Sequence, residues 1–258
     1  MTMLKPFGLA FLAFAAFSLA ACDAIAKLGD PTFQSVLQAD MERAAEKAGE
    51  GETAEDVVKA SMAIVESRLD AAGIITHEIS YLGEGRVVIR TSGDNPGEQV
   101  RNAATTRGEL VMRMVDENAT FDQLEMGIAP PGSEVLETRD GFQRLAVKRV
   151  GGIRGDRIAM ARAGSDQMTN EPIVSITFDE QGGRDFAILS TDNVGRQFAI
   201  ILDDEVLSAP IFAEPILGGQ AQISGGFTYE EAERYAILLQ SGELPVTFTV
   251  LEERTLGE

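Results

Sequence analysis

Two apolar runs lying close together constrain the fold more than any other feature of the chain. Residues 197–202 and 206–211 flank the polar triplet Asp203-Asp204-Glu205, and a short polar loop between β-rich runs predicts a β-hairpin. Asp tolerates the positive φ that such turns often need. Pro210 removes a ladder donor, which indicates an edge or a strand end. Beyond it, Gly218-Gly219 and Gly225-Gly226 predict two corners around a short return segment.

The first half of the chain alternates strand and helix signals. Thr53 and Asp56 are spaced as a capping box, and apolar residues follow at helical spacing, at Val58, Met62, Val65 and Leu69. Weaker signals precede them: a possible strand at 32–37 and a helical turn or two at 41–48. We expect a hairpin from 74–82 and 86–90, a helix from Pro96 to about residue 106, and a strand at 110–115. This order predicts a ferredoxin-like α+β base.

The middle of the chain is less regular and predicts an inserted α+β head. Glycine and proline interrupt it repeatedly, but 145–150 and 173–178 have the pattern of strands, and Asp179 can cap a following helix. Thr228 and Glu231 form a second capping-box signal, and residues 246–251 predict a final strand paired with the base. The predicted boundaries are 53–116 for the first part of the base, 117–225 for the head and 226–258 for the returning helix and strand.

Several ordered stretches resemble one known family. The run from 193 to 257, with ESRLDAAGI, GRVVIRTSG and RGELVMRMVDE before it, is similar to the first periplasmic domain of SecD, the accessory subunit of the Sec protein translocase. The resemblance implies a base with an inserted head. It also implies contact with Sec translocase subunits or with unfolded exported polypeptide, and a binding role in protein export with no enzymatic activity.

The amino terminus has the pattern of an export signal. Lys5 precedes an apolar stretch at 7–19, and Leu-Ala-Ala-Cys ends at Cys22, the only cysteine in the chain. This motif resembles a bacterial lipobox, which predicts a signal peptide at 1–21, lipidation of Cys22 and a tether at 22–52 on the periplasmic face of the inner membrane. The alternatives are a plain signal peptide with an incidental cysteine, or an uncleaved anchor.

Composition limits the chemistry that the chain can perform. The 41 acidic residues against 22 basic ones give a net charge of −19, which argues against nucleic-acid binding because phosphates would be repelled. His77 is the only histidine and lies in a predicted strand without a nucleophile context, so we favour a surface role for it. The carboxylate clusters lack calcium-loop spacing. We therefore expect no cofactor and no metal.

A binding surface is the remaining expectation. Phe212, Ile216 and Leu217 are apolar residues near the predicted Gly218-Gly219 corner, where exposure would suit polypeptide recognition. They could equally pack the core of the head. An unpaired strand edge could also accept an extended polypeptide. The leading hypothesis is a tethered SecD-like lipoprotein that assists export, and the alternative is an envelope lipoprotein whose binding role is unrelated to translocation.

Overall fold

A four-stranded antiparallel sheet forms the base of the protein. The computed structural model describes residues 30–256, apart from the side chain of His77. The base strands lie in the order β13-β1-β3-β2, where β1 is Phe33–Ala39, β2 is Ile75–Gly83, β3 is Arg86–Ser92 and β13 is Phe248–Thr255. Three helices accompany this sheet: α1 (Met41–Lys47), α2 (Ala54–Ala71) and α3 (Pro96–Thr105).

Local signals explain where the base helices begin. The Asp40 carboxylate accepts from the Arg43 N–H at 3.0 Å and starts α1. At α2, Thr53 and Asp56 form the predicted capping box, so both orphan groups are satisfied reciprocally. The apolar stripe of α2 packs on the sheet in one core with Leu37, Val87 and Ile89.

The head contains two further sheets and a separate hairpin. One sheet has the order β11-β10-β4-β7, the second has the order β12-β9-β8, and β5 pairs with β6. The strands are β4 (Leu110–Met114), β5 (Ser133–Glu137), β6 (Arg144–Lys148), β7 (Ile153–Arg154), β8 (Ile158–Ser165), β9 (Pro172–Phe178), β10 (Phe198–Leu202), β11 (Glu205–Ser208) and β12 (Gln220–Ile223). The head helices are α4 (Phe121–Glu125), α5 (Glu180–Asp192) and α6 (Tyr229–Ser241), with a short 3-10 turn at Gly155–Arg157.

The continuous apolar run of β10 is explained by burial on both faces. Ile200 and Met112 face the main head core, whereas Ile201 and Val111 face a smaller core that also contains Val147. Successive strand residues point to opposite faces, so a strand covered on both sides needs apolar residues throughout. The predicted hairpin is confirmed, since β10 and β11 pair antiparallel.

The structure confirms an α+β fold, and the predicted domain boundaries stay a prediction. Residues 33–47 belong to the base, with Leu37 fully buried in a central strand. The strand predicted at 32–37 and the helical turns predicted at 41–48, inside the segment predicted as a tether, are present as β1 and α1. The strand predicted at 110–115 exists as β4, but it pairs with β10 in the head. Helix α6, which the prediction assigned to the base, packs in the head core through Tyr235 and Leu239.

The predicted last strand does pair with the base. Strand β13 lies antiparallel to β1, from Phe33 opposite Thr255 to Ala39 opposite Phe248. It occupies the sheet position that the prediction gave to residues 110–115. The ferredoxin-like description of the base stays a prediction, which the order β13-β1-β3-β2 supports.

Candidate functional site

The chain passes between base and head twice, and one buried arginine binds both passages. The passages are residues 106–109, after α3, and 242–247, before β13. Arg68 in α2 is 1% exposed and lies between them. Its Nη1 donates to the carbonyls of Ala103 and Thr106 at 3.0 and 2.6 Å. Its Nη2 donates to the carbonyls of Arg107 and Gly242 at 3.0 and 2.7 Å.

The position of Arg68 follows from the helical repeat of α2. Ser61 and Arg68 are seven residues apart on the buried face of this helix, so both point toward the same neighbours. Val246 N–H donates to Ser61 Oγ at 3.2 Å, and Arg68 Nε donates to Ser241 Oγ at 3.0 Å. Polar residues within an apolar stripe were the available sequence signal for this contact, and our sequence analysis missed it.

The guanidinium of Arg68 stabilises two helix ends at once. Its partners include the carboxyl-terminal carbonyls of α3 and the residue that follows α6, where a positive charge complements the helix dipole. Burial lowers the pKa of Arg68 to about 10, and the negative charge of Asp203 opposes this shift. The group therefore remains cationic at neutral pH and acts as a fixed connector.

Asp203 binds the first passage from the head side. Asp203 and Asp204 both have positive φ, at 50° and 70°, in the turn between β10 and β11. The Asp203 carboxylate accepts from the N–H groups of Gly108 and Glu109 at 2.9 and 2.8 Å. These two bonds explain why Asp, in place of glycine, occupies a turn position with unfavourable φ.

A second surface of the head is formed by helix α5 and the segment 211–219, which we call the head loop. Ile216 N–H donates to Ser190 Oγ at 2.9 Å, near the end of α5. Near its start, Gly183 approaches Gly219 so closely that an added Cβ would lie 3.3 Å from the Gly219 Cα. The head loop therefore runs antiparallel along the helix.

The predicted binding residues of the head loop separate into three environments. Phe212 is 1% exposed and stacks on Phe198, with ring centroids 4.0 Å apart. Of the two placements considered for it, exposure and packing in the core of the head, the structure shows the second. Ile216 is half-buried against the same core. Leu217 is 74% exposed. Of these three residues, Leu217 alone is mostly exposed to solvent.

Other exposed apolar residues lie on the same helix and loop. Ile188 on α5, Val194 just after it and Ile211 at the start of the head loop are all exposed. The carbonyl of Phe212 accepts from Gly195 N–H at 2.8 Å, which brings the chain after α5 beside the start of the head loop. Our sequence analysis missed these residues, because periodicity alone does not distinguish an exposed Ile on a helix from a buried one.

Two further residues singled out from the sequence are Cys22 and His77. Cys22 lies outside the described residues, and so does the predicted signal peptide. His77 lies in β2, and nothing is described of its side chain. Ser80, in the same strand, donates from its hydroxyl group to Glu78 Oε1 at 2.9 Å.

The described part of the chain shows neither a metal-binding cluster nor a membrane-crossing helix. Between residues 30 and 256, no group of three or more His, Cys, Asp or Glu side chains is arranged to hold a metal ion. Within the same range, every helix is too short or too polar to traverse a lipid bilayer.

Comparisons with known proteins agree on one family. Residues 133–246 match the family model described as the SecDF P1 head subdomain. The protein translocase subunit SecD of Acetobacter pasteurianus is 32% identical over 235 residues, which cover 90% of this chain and 43% of that protein. The SecD of Rickettsia bellii is 34% identical over 201 residues, covering 78% of this chain and 39% of that protein. The chain thus spans about two fifths of the length of these relatives.

Solved structures give the same result. A structure of SecDF, described as a membrane component that enhances protein export, matches with a TM-score of 0.62 and 28% identity, covering 86% of this chain and all of that one. A crystal structure of SecDF in a super-membrane-facing form matches with a TM-score of 0.64 and 27% identity, covering 86% of this chain and 30% of that one.

The fold and these comparisons place the chain in the class of proteins that contain a SecDF P1 head subdomain. Within that class, the chain contains a SecD-type periplasmic domain, and residues 133–246 carry its head subdomain.

Proposed function

We propose that this protein assists Sec-dependent protein export by binding translocating polypeptide or the translocase itself. The observation that carries the proposal is the match of the head to the SecDF P1 head subdomain, together with relatives named as translocase subunits. In this proposal the protein is a binding module and not an enzyme, and it is held at the periplasmic face of the inner membrane by a lipid on Cys22.

The apolar surface beside the head loop supports a polypeptide-binding role. Leu217 is mostly exposed, and so are Ile188 on α5 and Ile211 at the start of the head loop. Grouped exposed apolar residues are typical of recognition surfaces, because burying them on a partner is favourable. Unfolded polypeptides offer apolar side chains that folded proteins bury.

Crosslinking in native membranes tests this function. A photoreactive amino acid would replace Leu217, and the matched control would carry it at Val150, which is also exposed but lies in the turn before β7. We expect adducts with a Sec subunit or a nascent exported chain from position 217 at several times the yield from 150. Equal yields, or adducts only with other envelope proteins, would favour the alternative of a binding role unrelated to translocation.

The predicted anchor has its own test. Labelling cells with a radioactive fatty acid should mark the protein, and Cys22→Ala should abolish the label and release the protein from washed membranes. Unchanged membrane association of the Cys22→Ala protein would contradict the lipid anchor without affecting the proposed role of the head.

A further inference from the structure

The three-stranded sheet of the head has two edges with opposite properties. Strand β9 is central, and β8 and β12 are its neighbours. Edge strands carry main-chain N–H and C=O groups that face away from the sheet and can pair with another strand. Whether such an edge can accept a partner depends on what covers it.

The edge at β8 is closed. Strand β8 packs against α6. In addition, the Ala161 N–H donates to the side-chain Oε1 of Gln240 at 2.9 Å. A side chain from the covering helix therefore satisfies an outward amide of β8, and no strand can pair there without displacing α6.

The edge at β12 is open. Phe178 N–H donates to the carbonyl of Gly219 at 2.9 Å, which fixes the alternation of the antiparallel ladder. Ala221 and Ile223, opposite Ile176 and Val174, therefore direct their main-chain groups toward β9. The main-chain groups of Gln220 and Gln222 point away from the sheet, and within residues 30–256 they have no hydrogen-bond partner beyond it.

Other sheet edges of the described chain carry features that oppose pairing. Strand β2 has two register shifts along its length. Strand β13 carries Glu252, Glu253 and Arg254. Strand β11 is covered by Arg139, whose N–H donates to the Val206 carbonyl at 2.9 Å. Strand β12, with the sequence Gln-Ala-Gln-Ile, has neither a charge nor a register shift. Strand β12 is short, at four residues, so an added strand would pair with it over that length only.

We propose that β12 is a docking edge that takes up an extended segment of unfolded polypeptide as a fourth strand. This proposal rests on the proposed function and specifies how the head would bind a chain. The added strand would bond to the main chain of Gln220 and Gln222, independent of its sequence. Alternate side chains of the added strand would lie on the same face of the sheet as half-buried Ala221, and these side chains should be apolar. The net charge of −19 favours neutral or basic segments over acidic ones.

Proline at position 222 tests the edge with little effect on the sheet itself. The Gln222 N–H points away from β9, so Gln222→Pro removes a docking donor without removing a bond to β9. Gln222→Ala changes the side chain and keeps the donor, which makes it the matched control. The probe is a fluorescent peptide of alternating valine and lysine, and binding to the full-length protein is followed by fluorescence anisotropy. We expect Gln222→Pro to weaken binding about tenfold and Gln222→Ala to change it less than about twofold.

A second probe avoids the possibility that proline disturbs folding. The same peptide, N-methylated at alternate amides in either register, is offered to the unaltered protein. We expect one register to bind about tenfold more weakly, because its methyl groups replace the donors that face β12. In hydrogen exchange, the amides of Gln220 and Gln222 should slow when the unmethylated peptide binds.

The outcomes separate this inference from the proposed function. Suppose that a reduced, denatured carrier protein binds to the unaltered protein while Gln222→Pro and N-methylation leave peptide affinity unchanged and hydrogen exchange at Gln220 and Gln222 does not slow. In that case the docking edge is wrong and the binding role stands. If neither the peptide nor the denatured carrier binds, the docking edge and the polypeptide-binding form of the proposed function both fall, and binding to the translocase is decided by the crosslinking from position 217.

Discussion

Arg68 and Asp203 bind the same four-residue passage from opposite sides. Arg68, in the base, donates to the carbonyls of residues 106 and 107, and Asp203, in the head, accepts from the N–H groups of 108 and 109. The passage between the two subdomains is therefore fixed by one cation and one anion, each bound to main-chain groups. Stability at this junction should depend on both residues.

Removing the guanidinium should destabilise the fold strongly. We expect Arg68→Met to lower the free energy of unfolding by about 3–5 kcal/mol, because it leaves several buried carbonyls without donors. Arg184→Met is the control, since Arg184 makes an exposed ion pair with Glu180 within α5, and it should cost less than about 1 kcal/mol. Urea unfolding measures both variants, and similar losses would contradict a special role for Arg68.

Gly108 should be far less tolerant of alanine than a glycine with the same backbone geometry. Gly108 has φ of +79°, and a Cβ there would lie 2.6 Å from Arg68 Nη2. Gly141 has φ of +70° with nothing within 4 Å of its Cβ position. Gly141→Ala should cost about 1 kcal/mol from backbone strain alone. Gly108→Ala should cost at least about 1 kcal/mol more, because a bonded guanidinium must move. Equal losses in thermal unfolding would show that Arg68 gives way freely.

The two aspartates of the hairpin turn should respond differently to alanine. Both have positive φ, but Asp203 accepts two main-chain bonds, whereas the Asp204 side chain is 83% exposed and pairs with Arg107 at 3.4 Å. We expect Asp203→Ala to cost about 2 kcal/mol more than Asp204→Ala. Chemical denaturation of the pair measures this difference, and a more damaging Asp204→Ala would overturn the assignment.

Acid should weaken the fold through its helix-capping carboxylates. The Gly182 N–H, donating to the Asp179 carboxylate, holds the pKa of Asp179 below its ordinary value. A lowered pKa contributes stability that is complete above the unfolded pKa, near pH 4, and is lost as pH falls through the folded pKa. We expect stability to decrease from about pH 5 to pH 3.

Asparagine at position 179 should separate the cap from its charge. Asp179→Asn keeps an acceptor for Gly182, so the pH 7 stability should change little and its decline in acid should be smaller. Asp179→Ala removes the acceptor and should lower the stability at pH 7 below that of Asp179→Asn. Urea titrations of the unaltered protein and both variants, at pH 7 and in acid near pH 3, measure these differences in the free energy of unfolding. A decline for Asp179→Asn as steep as in the unaltered protein would remove Asp179 from this explanation.

Local sequence signals predicted most helices and strands, whereas the pairing of strands far apart in the sequence could not be predicted in the same way. Capping pairs such as Thr53 with Asp56 act within one turn of helix, so the sequence contains all the information needed to place them. The partner of β4 depends on contacts with β10, more than eighty positions further along the chain. The apolar pattern of β4 fits either sheet equally well, because it is buried in both arrangements.

The candidate site shows the same division. The exposed position of Leu217 agreed with expectation, whereas Phe212, five residues earlier, is enclosed by Phe186 and Phe198. Aromatic residues in a glycine-rich segment can anchor the segment or remain exposed, and the choice depends on a cavity formed by other elements. The position of Arg68 in the apolar stripe of α2 signals its burial, but its partners are main-chain carbonyls, which have no sequence signature.

Site-specific crosslinking from position 217 in native membranes tests the central claim most directly. The claim is that this SecD-type head contacts polypeptides during Sec-dependent export. A photoreactive residue at 217 should yield adducts with a Sec subunit or with an exported chain arrested in transit, and these adducts should be several times rarer from position 150. Abundant adducts from 217 that contain neither a Sec subunit nor an exported chain would contradict it.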